Sequence, residues 1–275
     1  MPKACLKRWF ADQVMTNPPI FLVEGEGIAE VWEKAVELVW RYGVSAYTEY
    51  DQYSKDATML MVVSNPFSEP RIHRAGICGS LKDLERYVAE VVDGTEDHLV
   101  HEGKRPYEYH ERLFEYGLPG EVKVDQIEYI VSKLNERKLV GGLEIIGCSR
   151  RAQAITWKPW VDGKLEHPPC LQRIWCRVYG EELVMETSWR SRDAYKAAFW
   201  NMYALTELQK RIAERLSEKA GKRFKVGKYV DFTNSFHIYE NDFQDVEKRF
   251  MRAKEERTFE ERTMTSSELR KVLGR

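Results

Sequence analysis

No stretch of this chain stays apolar for the roughly 18 to 20 residues that a membrane-spanning helix needs, and its start, MPKACLKRWFADQ, has no apolar block of the secretory kind. Charge of one sign is also missing. Forty-three Lys and Arg meet 44 Asp and Glu, which excludes a global pull toward nucleic acid or an anionic membrane and makes any anion site local. Cysteine is scarce: Cys5, Cys78, Cys148, Cys170 and Cys176 are odd in number and form no CxxC pair, so neither a disulfide framework nor a zinc or redox dithiol is expected. Low-complexity tracts and internal repeats are absent too. What is there is an ordinary globular chain of 275 residues, 43% hydrophobic and 12% aromatic, expected in the cytoplasm. Each cysteine is either a small buried hydrophobe or a reactive thiolate, and its motif must decide which.

Apolar periodicity organises the chain. IAEVWEKAVELVWR at 28–41 places Ile28, Val31, Trp32, Ala35, Val36 and Val39 on one helical face. TMLMVVS at 58–64 reads as a buried strand, LKDLERYVAEVV at 81–92 as a helix stopping at Asp93-Gly94, and DQIEYIVSKLNERK at 125–138 as a further amphipathic helix before a strand in GGLEIIGCS. RAQAITWKPW, LQRIWCRVY and EELVMETSW are strand candidates joined by Gly- and Pro-containing turns. A long helical pattern from 194 ends at Gly221, and KYVDFTNSFHIY forms the last strand. The expected division is a divergent N-terminal part over 1–100, a core over 101–240, and a charged helical extension over 241–275 of the same globular unit.

Three clusters join reactive or anion-binding residues to plausible turns: Ser149-Arg150-Arg151, Pro168-Pro169-Cys170 and Arg190-Ser191-Arg192-Asp193. Read one at a time, paired arginines are a solvated surface and Pro-Pro-Cys a strand entry. Their order is more specific. Cys170 precedes Arg190 by 20 residues, Asp193 precedes Asn201 by 8, and His237-x-Tyr239 closes the series. SRRAQAITW, HPPC, WRSRDAYKAAFWNMYAL and FHIY, taken together, resemble the thymidylate synthase family, and Tyr107 and Arg112 in YEYHERL sit at that family's Tyr-to-Arg spacing.

The resemblance implies an α+β fold, a mixed, largely antiparallel sheet with helices on one face. It also implies a homodimer packed sheet against sheet. Cys170 would add as thiolate to C6 of deoxyuridylate, which calls for a thiol of lowered pKa near cations, with Tyr107 as a second catalytic residue. Arg190 and Ser191 would bind the 5′-phosphate, and Arg150 and Arg151 would reach it from the partner subunit. Asn201 would read the O4 and N3–H edge of uracil, His237 and Tyr239 the 3′-hydroxyl, and Asp193 the pterin of a methylene-tetrahydrofolate or methanopterin-type carrier. The implied reaction is reductive C5 methylation to thymidylate. No membrane, nucleic-acid or metal partner is expected.

Departures from the family pattern make the chain most like its divergent archaeal-type members. Where the family has a proton-relaying Glu seven residues before a Gly, this chain has Tyr87, with Glu85 and Glu90 on either side, so the general acid/base stays unassigned. Trp189, Ala197 and Leu171 replace family residues, and ELRKVLGR lacks the apolar closing segment. Two alternatives stand beside the synthase: a nucleotide 5-hydroxymethylase using the same Cys adduct, and a non-catalytic nucleotide- or RNA-binding protein on this fold. A metal site built from His98, His101, His110 and Glu111 is a minor third, because scattered histidines on a polar segment are usually solvated.

Overall fold

Six strands in the order β1-β3-β10-β9-β8-β7, with β2 added on β3, make the central sheet of a computed structural model that describes residues 17–118 and 120–274. The strands are β1 (Ile20–Gly25), β2 (Val44–Tyr47), β3 (Tyr53–Val63), β7 (Gln153–Ile155), β8 (Leu171–Tyr179), β9 (Glu182–Asp193) and β10 (Lys225–Tyr239). β4 (Ile72–His73) pairs instead with β11 (Thr263–Met264), and β5 (Arg137–Val140) with β6 (Leu143–Ile146). In the central sheet β1–β3 and β9–β10 run parallel and the other four pairings antiparallel, giving the mixed, largely antiparallel sheet expected from the sequence. Met59, Met61 and Val63 alternate inward on β3, as half-buried strands do. The opposite face of the sheet is open, with Ile20 77% and Leu22 60% exposed.

Helices α1 (Ile28–Tyr42), α2 (Leu81–Asp93), α3 (Asp97–His101), α4 (Tyr109–Phe114), α5 (Gln126–Leu134), α6 (Pro159–Asp162) and α7 (Ala198–Ala220) supply the rest of the core. α1 buries the face read from the sequence and ties Trp32 Nε1 to the Ala194 carbonyl at 2.8 Å. α2 begins with a reciprocal cap between Ser80 and Asp83 and ends at Gly94, whose φ of 69° is the left-handed turn glycine adopts without a Cβ clash.

Four boundaries differ from expectation, each for a local reason. β3 starts at Tyr53, five residues before the apolar run, because its first turns carry polar residues. α7 starts at Ala198, since Asp193 Oδ1 accepts from the amides of Tyr195 and Lys196 and holds a turn there. α5 stops at Leu134, and 137–146 form an exposed hairpin around Gly141-Gly142, both at positive φ, the geometry a tight hairpin selects. RAQAITWKPW yields only the three-residue β7, because Pro159 cannot donate to a ladder and instead opens α6.

After β10 the chain is helical over 240–256, then forms short helices Phe259–Arg262 and Ser266–Val272. Val246, Phe250, Met251, Met264 and Leu269 are buried, and the Phe250 ring lies edge-on to Trp32 at 5.6 Å. Arg262 and His73 both bond Glu33. Burial opposes ionisation of that carboxyl, yet the two bonds bring it down to about 2. No helix among the described residues is long and apolar enough to cross a membrane.

Candidate active site

Cys170 stands at the mouth of β8, fixed from both chain directions. Pro168 and Pro169 offer no amide donors and keep the approach extended, while the Leu171 amide donates to Tyr109 Oη at 3.3 Å. From the neighbouring strand β9, Arg190 braces the turn: its amide donates to the Cys170 carbonyl at 2.9 Å, Nε to the Pro169 carbonyl at 3.0 Å and Nη2 to the Pro168 carbonyl at 2.7 Å. Burial pushes the Cys170 thiol up, with Arg190 and Arg192 pulling it back. The lowered pKa expected of the nucleophile is therefore absent here, because desolvation outweighs two nearby guanidinium groups.

The thiol opens onto a cavity of about 360 Å³. Its floor follows from strand register. A shift between Thr233 and Phe236 puts Phe236 and Ile238 in the core at 0% exposure, so Ser235, His237 and Tyr239 share the other face. His237 then pairs with Asp56 on β3 and Asp193 on β9, Tyr239 with Ser54, and Ser235 with Ser191. All seven line the cavity with Cys170, Trp189, Arg190, Arg192 and Asn201. Burial raises Asp193 to about 6 against the pull of the Lys196 amide, and Asp242 adds to the rise. Beneath this floor Arg192 is fully buried on Asp231, whose carboxylate also takes bonds from Tyr229 and Thr187. The loop after β2 forms the rim, where Tyr50 Oη reaches His167 Nδ1 at 3.1 Å.

Asn201, on the first turn of α7, donates from Nδ2 to Tyr87 Oη at 2.6 Å. A phenol thus touches the amide expected to read the base, at the helix position, seven residues before Gly94, that corresponds to the family's Glu. Glu85 and Glu90 are not among the described residues lining the cavity. Tyr107 is not among them either. Tyr109 is, with its ring 5.8 Å from that of Tyr107 and 6.0 Å from Trp189. Burial first and the Cys170 charge second lift Tyr107 to about 12 and Tyr109 well above the ordinary phenol range. Arg112 is structural: it forks onto Asp162 at 2.8 and 2.9 Å. Period-2 alternation back from His237 would have found Ser235. Tyr87 is marked in the sequence only as the residue at the family's Glu spacing, and Asp56, Tyr50 and Tyr109 carry no such signal.

Arg150 and Arg151 are exposed and do not line the cavity of their own chain. The histidines proposed for a metal go separate ways: His98 to the Thr95 carbonyl, His101 to Glu115, His110 to Asp97, with Glu111 on Lys158. Among the described residues no group of three or more His, Cys, Asp or Glu is gathered to hold a metal ion. Cys176 is buried, Cys78 and Cys148 are exposed, and Cys5 lies outside the described residues.

Comparison with known proteins matches residues 42–270 to the thymidylate synthase family. A Methanopyrus kandleri protein named "Putative thymidylate synthase" is 32% identical over 226 residues, spanning 82% of this chain and 96% of that protein. Proteins of the same name from Methanosarcina mazei, 30% identical over 227 residues and spanning 82% and 93%, and from Methanocaldococcus jannaschii, 28% over 237 residues and spanning 83% and 95%, are similar along most of their length. With three of the four motifs on one cavity and the family match extending over most of the sequence, the chain belongs to the thymidylate synthase family and is an enzyme of that type.

Proposed function

We propose that the chain makes thymidylate by reductive C5 methylation of deoxyuridylate, with Cys170 as nucleophile. One observation carries this reading: the braced Cys170 thiol shares a single cavity with the Arg190-Ser191 pair, Asn201 and the His237-x-Tyr239 pair. Uracil is unreactive at C5. When Cys170 Sγ bonds to C6, the C5–C6 π pair moves toward C5 and O4, making C5 a nucleophile, and breaking the same S–C6 bond later restores the ring. Asn201 selects uracil by offering a donor to O4 and an acceptor to N3–H, while Tyr87 holds the second amide hydrogen. Arg190 and Ser191 seat the phosphate, and His237 and Tyr239 the sugar. Tyr107 stands behind Tyr109 in the wall beside the thiol.

A methylene-tetrahydropterin of folate or methanopterin type supplies the one-carbon unit and the reducing hydride. Asp193 fits such a ring, because its carboxyl is held in place by two amides at Oδ1 and the residue lines the cavity. We further read the open sheet face as the contact of a homodimer, with Arg150 and Arg151 completing the partner's phosphate seat. Their exposure and their separation from their own cavity support that. The test is mass spectrometry of the product from deoxyuridylate with each carrier. Thymidylate is expected, a 5-hydroxymethyl product would replace the methylation reading with hydroxymethylation, and unaltered deoxyuridylate with every carrier would overturn both.

A further inference from the structure

Two polar atoms on the cavity floor are buried without a hydrogen-bond partner: Asp56 Oδ1 and His237 Nε2. They belong to residues directly opposite each other on β3 and β10, where side chains on one face stand close enough to share a ligand. Each residue's other polar atom is engaged. Asp56 Oδ2 accepts from Ser235 Oγ at 2.6 Å, and His237 Nδ1 lies 3.2 Å from both the hydroxyl and the carbonyl of Ser235. Ser235 therefore fixes the rotation of both side chains, and both residues line the cavity. Buried polar groups in folded proteins find partners, and two adjacent exceptions on a ligand cavity mark a place that a ligand completes. The charge around them narrows what that ligand presents. Asp56 and Glu49 line the cavity and both act on His237, and a carboxylate oxygen such as Asp56 Oδ1 can accept from a hydroxyl but not from an anion, so a hydroxyl suits this place.

We propose that Asp56 is a further substrate-binding, specificity-determining residue, whose Oδ1 accepts the proton of the sugar 3′-hydroxyl while His237 Nε2 engages the oxygen of the same group. The site thereby takes a mononucleotide with a free 3′-hydroxyl and rejects one phosphorylated there. The inference rests on the deoxyuridylate reading above, in which that hydroxyl is the only free one on the sugar.

Calorimetric titration of the full chain with 2′-deoxyuridine 5′-monophosphate and with 2′,3′-dideoxyuridine 5′-monophosphate tests it. Asp56→Ala is expected to weaken the deoxy ligand roughly tenfold to a hundredfold, the range for a hydrogen bond to a charged group, and to leave the dideoxy ligand within about twofold. Asp56→Asn, which keeps an acceptor for Ser235 and hence the fold, is expected to weaken the deoxy ligand by roughly three- to tenfold. Equal weakening of both ligands, or of neither, overturns the assignment while leaving the nucleotide site standing. Failure of the unaltered protein to bind either nucleotide overturns the deoxyuridylate reading itself, and this inference with it.

Discussion

Replacing Asp193 by Asn removes a carboxylate that the fold holds at a cost, and the size of the gain follows from its surroundings. An unfolded Asp titrates near about 3.9, and burial moves Asp193 to about 6 in the folded chain. The displacement of about two units corresponds to about 3 kcal/mol. Because the folded carboxyl holds its proton more tightly than the unfolded one, the penalty is absent below about pH 4, grows as pH rises, and is complete above about pH 6. Asn keeps an Oδ1 to accept from the Tyr195 and Lys196 amides, at 2.9 and 2.8 Å in the parent, so the turn before α7 should persist. Urea unfolding at fixed protein concentration should therefore show Asp193→Asn more stable than the parent by about 2 to 3 kcal/mol at about pH 7.5 and equal to it at about pH 4. A gain that does not vary with pH, or a loss at about pH 7.5, would refute the reasoning. The same variant is expected to lose turnover through weaker carrier binding, a trade of function against stability seen at many active sites.

Three other outcomes follow from the geometry. Tyr87→Phe should cost about 1 kcal/mol of stability and lower the preference for deoxyuridylate over deoxycytidylate roughly tenfold, because the Asn201 amide loses the phenol that holds it; an unchanged ratio of dissociation constants would sink that role. Arg192→Met leaves the Asp231 carboxylate buried without its cation and should destabilise the chain by about 3 to 5 kcal/mol in urea unfolding, and a loss below about 1 kcal/mol would contradict the buried-pair account. Mixing Arg151→Ala with Cys170→Ala subunits should regenerate part of the activity that each lacks alone, whereas confirmed heterodimers with no activity would place the arginines outside the shared site.

The sequence carried the fold wherever packing dominates. α1, α2 and β8 were read within a residue or two because their apolar faces repeat without interruption. Strand ends that line the cavity were not readable this way. Tyr53, Ser54 and Asp56 begin β3 with polar residues, so an apolar search starts at Thr58 and passes over the residue that faces His237. Gly141-Gly142 and Pro159 were visible, yet the hairpin and helical turn they impose were outweighed by helix-forming and strand-forming neighbours. The motif series found Cys170, Arg190, Ser191, Asp193, Asn201, His237 and Tyr239, which meet on one cavity. Tyr109 is hidden because a lone tyrosine on a helix looks like core, and Tyr87 shows only as the residue at the family's Glu spacing, with nothing in the sequence to mark its bond to Asn201. The upward shift of the Cys170 thiol is illegible in the sequence for a related reason: arginines are visible there, whereas desolvation is a property of the folded site.

The most direct measurement of the central claim is intact-protein mass spectrometry after incubation with 5-fluoro-2′-deoxyuridylate and a methylene-tetrahydropterin. The account predicts a covalent adduct that survives denaturation, maps to the peptide containing Cys170 and disappears in Cys170→Ser. Failure of every carrier to give an adduct with the folded protein, or an adduct that persists in Cys170→Ser, would contradict it.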